Sequence, residues 1–338
     1  MTSAAIHSPD RELDDHEHHH HHGDSWLKLG PIFVVLPLVV TLLLRNNVGF
    51  LQGDDVRLWS TLFFSITVQA LPFLVLGVVL SGVIAAFVSP SIVERFVPKR
   101  PALAVPAAGA AGLALPGCEC GSVPIAGRLV SAGAPPAAAL TFLLSAPAIN
   151  PVVLISTAVA FPGEPQLVAA RFLASFLTAV AVGWWWARRD SDSLLKVDDH
   201  THRHGTRWQT FTDTSSRDLV HAGGYLVVGA AAAATLQIII PRSALNAVAD
   251  NELASILMFA LLAVMLSICS EADAFVAAGL PQFSLTSRLV FLVVGPVIDL
   301  KLIAMQSGVF GRRFATVFAP VTFCVAVVVA VVVGQVIL

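Results

Sequence analysis

Apolar runs at residues 29–44, 61–88, 167–186 and 314–338 approach or exceed the roughly 20 residues that carry a helix across a hydrocarbon core. The composition agrees with them: 56% of the 338 residues are hydrophobic and 12% are charged, where a soluble domain carries about a quarter charged. A large soluble α-helical protein with a greasy core is the competing reading, and this charge deficit speaks against it. The formal net charge of −2 gives no information about partners. The polar, acidic stretch 1–28 is too hydrophilic for a signal peptide, so the run at 29–44 is expected to stay in the membrane as a first helix. The stretch itself is expected to be a disordered tail.

The chain also repeats itself. The segment Leu140 to Asn150, LTFLLSAPAIN, returns 149 residues later as LVFLVVGPVID from Leu289 to Asp299. The same offset carries Cys120 onto Cys269 and Phe161 onto Phe310. Duplicated halves, each broken by Gly and Pro and each holding a cysteine beside acids in an apolar region, are the pattern of a transporter whose site lies between two repeats.

The fold class expected is an all-α polytopic membrane protein with two inverted repeats of about 150 residues after one N-terminal helix. The divisions are a tail at 1–28, a first helix and loop at 29–57, repeat 1 at 58–187, a linker at 188–216 and repeat 2 at 217–338. The second repeat is expected to open with a helix at about 219–240. Orientation follows the excess of Lys and Arg on the cytoplasmic side. A cytoplasmic tail places Arg95, Lys99, Arg100, the six Lys and Arg from Arg188 to Arg217, and Arg312 and Arg313 inside. Arg45 and Arg57 then fall outside, and Arg242 and Arg288 dissent. This assignment turns the two repeats opposite ways.

Each repeat is expected to contain a broken or re-entrant hairpin. The stretches on either side of Pro116-Gly-Cys-Glu-Cys-Gly121 are each below the roughly 17 residues of a clean crossing. Irregular backbone at membrane depth survives only against protein or a water-filled cavity, which places Gly117 to Gly121 at such a cavity. Pro147 and Pro296 break the following helices at one depth.

The residues that carry chemistry cluster at these breaks. Cys118 and Cys120 flank Glu119, and paired thiolates favour soft ions such as Zn²⁺, Cu⁺ or As(III). Helix packing by small cysteines is the alternative. Cys269 is followed by Glu271 and Asp273, and Asp299 stands where the first copy has Asn150. A charged side chain at the centre of a membrane segment costs roughly 2.5–3.5 kcal/mol on insertion scales, so such acids pair, bind ions or carry protons. Asp299 has a structural reading as well, pairing with Lys301 or Arg128. Asn150 has two: a cation or substrate ligand, or part of a packing kink. Cys324, in a plain apolar helix, reads as a core residue.

Two histidine groups, His18, His19, His20, His21 and His22 in the tail and His200, His202 and His204 in the linker, are suited to divalent transition metals. A solvated linker is the plainer reading of the second group. There is no phosphate-binding glycine loop, so ATP-driven transport by this chain alone is not expected, no cofactor is implied, and nothing supports nucleic-acid binding.

The segments Gly117-Cys-Glu-Cys-Gly-Ser-Val-Pro124 and Ser145-Ala-Pro-Ala-Ile-Asn-Pro151 resemble the predicted permease family that includes the organoarsenical efflux permease ArsP. Cys269-Ser-Glu-Ala-Asp-Ala-Phe275 and Gly295-Pro-Val-Ile-Asp-Leu300 resemble its second signature. The resemblance implies a multi-pass bacterial inner-membrane permease rather than an enzyme, with characterised relatives extruding trivalent organoarsenicals through cysteines. Carried over, Cys118, Cys120 and Cys269 are the recognising thiols. The histidine groups lie outside that picture and point to a divalent metal. A second membrane subunit or a homo-oligomer is the expected partner besides the bilayer. The alternatives are an intramembrane thiol oxidoreductase using Cys118 and Cys120, or a non-transporting subunit of a larger complex.

Overall fold

The computed structural model describes residues 53–87, 98, 100–114, 118–189, 195, 206–239 and 251–338. Expectations for the tail, the first membrane helix at 29–44, the basic residues Arg95 and Lys99, and all the clustered histidines lie outside the described residues. Among the described residues, every regular element is helical. The order is α1 (Gly53–Phe87), α2 (Pro101–Ala111, ending in a 3₁₀ turn at Gly112–Ala114), α3 (Glu119–Ser131), α4 (Pro136–Ile149), α5 (Pro151–Ala160) and α6 (Pro165–Arg188). Then come α7 (Arg207–Ile239), α8 (Glu252–Leu266), α9 (Asp273–Ala278), α10 (Leu285–Val297), α11 (Leu300–Val309) and α12 (Arg312–Ile337).

The motif spacing reappears in the helix boundaries. Helices α5 and α11 begin and end 149 residues apart, and α4 and α10 begin 149 residues apart. Among the described residues, five stretches are long and apolar enough to cross a membrane: Val56–Phe87, α4 with α5, α6, α10 with α11, and α12. This is the layout of a polytopic membrane protein. The two broken helices lie innermost, 78% and 83% buried within the protein, whereas α1 and α12 are 39% buried. On α1, Phe64, Val68, Leu71, Val75 and Val79 form an exposed stripe at helical spacing, and Val328, Val332 and Val336 do so on α12. These are the faces that lipid covers. Cys324 is exposed on α12 rather than part of the core, because it falls on that outward side.

Helix α7 starts at Arg207, about three turns before the apolar run at 219 that marks it in the sequence. Its polar first turns are held by α1: Ser81 donates to Asp218 at 2.6 Å, and Ser215 donates to the carbonyl of Val78 at 3.4 Å. At the other end Trp59 Nε1 donates to Thr235 at 3.0 Å. Rising residue numbers on α1 thus meet falling numbers on α7, and the two helices run antiparallel.

The segment 102–133 forms two short helices, α2 and α3, on either side of residues 115–118. Pro101, at the start of α2, and Pro135, just after α3, line one cleft together with Trp186, Arg188 and Arg189. Gly112 meets Ser145 and Ala146, about 14 Å along α4 from its start. The outer ends of both arms therefore lie at the same end of the bundle, and Gly112, near the inner end of α2, lies level with the last turn of α4.

Small residues permit the closest approach. A Cβ on Gly77 of α1 would collide with the backbone of Gly121 on α3, a helix contact made through glycine faces. Gly223 of α7 has only ordinary contact with Leu74 at 3.9 Å. Gly77→Ala is therefore expected to destabilise the protein by about 1–3 kcal/mol through overpacking. Gly223→Ala is expected to be neutral or stabilising by a few tenths, since alanine suits a helix interior better. Thermal unfolding in detergent compares the two.

Candidate functional site

Four helix ends converge inside the protein. In each broken helix an Asx residue just past the first half caps the second half. Asn150 accepts from the amide of Val153 at 3.0 Å, and Asp299 accepts from Leu302 at 2.6 Å. A short Asx side chain satisfies an orphan N–H that hydrocarbon cannot. The sequence reading of Asn150 as a ligand thus meets a structural role: its amide also donates to the carbonyl of Ala146 at 2.9 Å.

Cys118 is the extended N-cap of α3, and Glu119 and Cys120 lie in the first turn. The Cys118 thiol is within side-chain hydrogen-bonding reach of both Cys120 and Cys269. The contact joins the two repeats, and all three cysteines are buried and free. Cys118 is the common neighbour of the other two thiols. Among the described residues no three or more His, Cys, Asp and Glu side chains are grouped so as to hold a metal ion.

The carboxylates sort into two buried pairs. Lys301 Nζ lies 2.5 Å from Glu119 and 3.3 Å from Asp299, and it donates to the carbonyl of Ser267 at 2.9 Å. The contact with Glu119 Oε1 is an ion pair rather than an aligned hydrogen bond, since that oxygen lacks hydrogen-bond geometry. The other Glu119 oxygen accepts from Ser270 at 3.3 Å. Asp273 pairs instead with Arg171 of α6 at 2.7 Å, and Arg171 also donates to Thr157 at 2.6 Å and to the carbonyl of Ser270 at 3.1 Å. Ser270 thus links the pairs, with its hydroxyl on one and its carbonyl on the other. Glu271 is half-buried, close enough to feel the charges of Glu119 and Lys301, and its Oε2 has no protein hydrogen-bond partner.

The structure therefore brings Cys118, Glu119, Cys120, Cys269 and Asp299 together, and sets Asp273 one step away through Ser270. The option of an Asp299–Arg128 pair is not realised; Arg128 pairs with Asp218 at 2.7 Å. Arg171 is the residue that sequence reasoning missed. An arginine inside the apolar run of α6 was the available signal, because such a charge persists only with a buried partner. Four formal negative charges, Glu119, Glu271, Asp273 and Asp299, face two positive ones, Arg171 and Lys301. The interior is acidic and thiol-bearing.

A family model described as a predicted permease, ArsP_1, matches residues 56–335. The chain belongs to this family. It is 39% identical over 279 residues to the UPF0718 protein YcgR of Bacillus subtilis strain 168, covering 80% of this chain and 94% of that protein. It is 32% identical over 282 residues to a Streptococcus mutans protein provisionally named a two-component membrane permease complex subunit, covering 81% of this chain and 94% of that protein. No solved structure matches the chain. The permease is a multi-pass membrane protein, as its helices and its family agree.

Breaking a buried ion pair leaves a charge stranded, at a cost of about 3–5 kcal/mol. Arg171→Met and Asp273→Leu are each expected to cost that much, and the double variant to recover most of it. A double-mutant cycle on unfolding free energy reads the coupling. Additive losses would show that the pair is not stabilising.

Proposed function

We propose that this permease is a secondary-active exporter of a soft, thiol-binding species, with the substrate held where the two repeats meet. The observation that carries the proposal is the contact of Cys118 with Cys120 from its own repeat and Cys269 from the other. Paired thiols favour soft ions over hard ones. A trivalent organoarsenical needs only a few thiols and no imidazole or carboxylate cage. Glu119, Glu271, Asp273 and Asp299 are assigned to charge compensation and to carrying the coupling protons. Asn150 shapes the site as a cap. The groups His18 to His22 and His200, His202 and His204 are assigned to binding a divalent metal outside the membrane.

The antiparallel packing of α1 against α7 supports inverted repeats, since these helices open corresponding halves of the chain. Helices α2 and α3 act as a re-entrant pair, with the start of α3 at the site. Inverted repeats with a midplane site allow access from either side in turn. Arg188 and Arg189 line the cleft at one end, and Phe314, next to Arg312 and Arg313, packs on Trp186 of the same cleft. The bias of Lys and Arg makes that end cytoplasmic. The name of the Streptococcus mutans relative extends the proposal to a second membrane subunit, which co-purification from native membranes tests.

In a strain lacking the gene, expression of the protein is expected to raise tolerance to phenylarsine oxide. Cys118→Ser and Cys269→Ser are expected to return tolerance to the level of the empty vector at equal membrane abundance, while Cys324→Ser keeps it. Equal protection by all variants would remove the thiol site from the mechanism. Protection against Zn²⁺ but not the arsenical would shift the substrate to a divalent metal.

A further inference from the structure

Most hydroxyls in the membrane helices are satisfied by their own backbone one turn back. Thr67 donates to Phe63 at 2.8 Å, and Thr141 to Ala137, Thr157 to Val153 and Ser307 to Ile303 at 2.7 Å each. Ser175 and Thr178 on α6 and Thr322 on α12 depart from this habit. Each is fully buried, and each hydroxyl lacks a protein hydrogen-bond partner. The same holds for Nε of Arg171, Oδ1 of Asp273 and Nε1 of Trp186.

These groups lie in a line. At 3.6 residues per turn, positions 171, 175, 178 and 186 of α6 fall within an arc of about 80°. At the Trp186 end that arc faces α12, because Trp186 packs on Phe314 at 5.3 Å and on Phe318 at 5.9 Å; at its Arg171 end it meets Thr157, Ser270 and Asp273. Other sides of α6 look elsewhere: Gly183 faces Thr141 and Val105, and Phe176 faces Gly109. Since the start of α12 meets the end of α6, the two run antiparallel. Thr322, one turn beyond Phe318, therefore comes level with the middle of the stripe. The stripe is about 22 Å long. Its inner end is the Arg171–Asp273 pair. At its outer end Trp186 forms part of the wall of the cleft that carries Arg188 and Arg189.

A buried polar atom without a partner is costly, and native proteins supply one, often an ordered water. Five such atoms on α6 and α12, with a sixth on Asp273 at the inner end, are each fully or almost fully buried and share one physical remedy. We propose that the seam between α6 and α12 is a hydrated path along which water, and with it protons, reaches the Arg171–Asp273 pair from the face of Arg188 and Arg189. Waters in the seam bond the three hydroxyls, the indole N–H, the guanidinium Nε–H and the free carboxylate oxygen. The path rests on the assignment of Asp273 to proton carriage and stands apart from the thiols, so its failure leaves the thiol-bound substrate untouched.

Thiols react as thiolates, which form where water reaches them. The test is labelling of the full chain in right-side-out and inverted membrane vesicles with a membrane-impermeant methanethiosulfonate. Label is read by mass spectrometry on the peptide that holds each new cysteine. Ser175→Cys, Thr178→Cys and Thr322→Cys are expected to label at least about tenfold faster than Ala170→Cys and Val180→Cys, which are buried on other faces of α6. Labelling is expected only when reagent contacts the face of Arg188 and Arg189. Rates equal to those of the two controls, or labelling only from the opposite face, would overturn the path. Hydroxyl-radical footprinting of the unsubstituted protein gives a second reading that needs no variant. Trp186 is expected to oxidise despite its burial, and protection equal to that of Phe259, which is also buried, would count against the path.

Discussion

A helix that stops inside a bilayer leaves backbone donors and acceptors that hydrocarbon cannot satisfy. This permease stops helices repeatedly in its buried interior, and much of its interior chemistry answers the same demand. Asn150 and Asp299 cap the N-termini of α5 and α11. Gln237 donates to the carbonyl of Leu266 at the end of α8 at 2.8 Å, and Lys301 donates to the next carbonyl, that of Ser267. Arg171 reaches the carbonyl of Ser270 in the same break. The charged residues in the membrane are thus first of all partners for broken backbone. Their mutual pairing follows from being drawn to the same place.

The pairing crosses the repeats in both directions. The second half sends Lys301 to Glu119 at the start of α3, and the first half sends Arg171 to Asp273 at the start of α9. Each short helix is therefore tied to the other half of the chain. Under the proposed inverted arrangement, these ties decide what a conformational change has to disturb. A rocking motion that keeps both pairs carries the short helices with the opposite repeat. A motion that separates them exposes two charges in a dry interior, which is costly enough to need a compensating cation or proton.

Much of this was legible in the residues. The apolar runs at 61–88, 167–186 and 314–338 correspond to α1, α6 and α12, because a bilayer accepts little else. The breaks near Pro147 and Pro296 were legible from proline and from the Asx residue that follows each. Three features were less so. Arg171 was hidden in an otherwise apolar helix, and its partner Asp273 lies about a hundred residues away, a distance that no local pattern spans. Lys301 reads as a simple neighbour of Asp299, but its shorter contact is with Glu119 from the other repeat. The early start of α7 rests on Ser215 and Asp218 meeting α1, a tertiary contact that overrides a polar local sequence.

The two halves share the boundaries of their broken helices and differ in their interiors, and one position shows why. Val152 in the first copy corresponds to Lys301 in the second at the spacing of 149. Val152 is exposed on α5 beside Ile155 and Val159, whereas Lys301 is fully buried on α11. Helix α7 makes the difference: its Gly229 brings backbone against Lys301, so α11 is covered. A neutral cap such as Asn150 needs no counter-ion, and its half-helix can face lipid. An acid cap such as Asp299 needs a cation beside it, and that cation has to be enclosed. Exchanging Asn for Asp at the break therefore entails Lys301, the enclosing helix and the approach of Glu119. It turns a repeated scaffold into a single asymmetric interior.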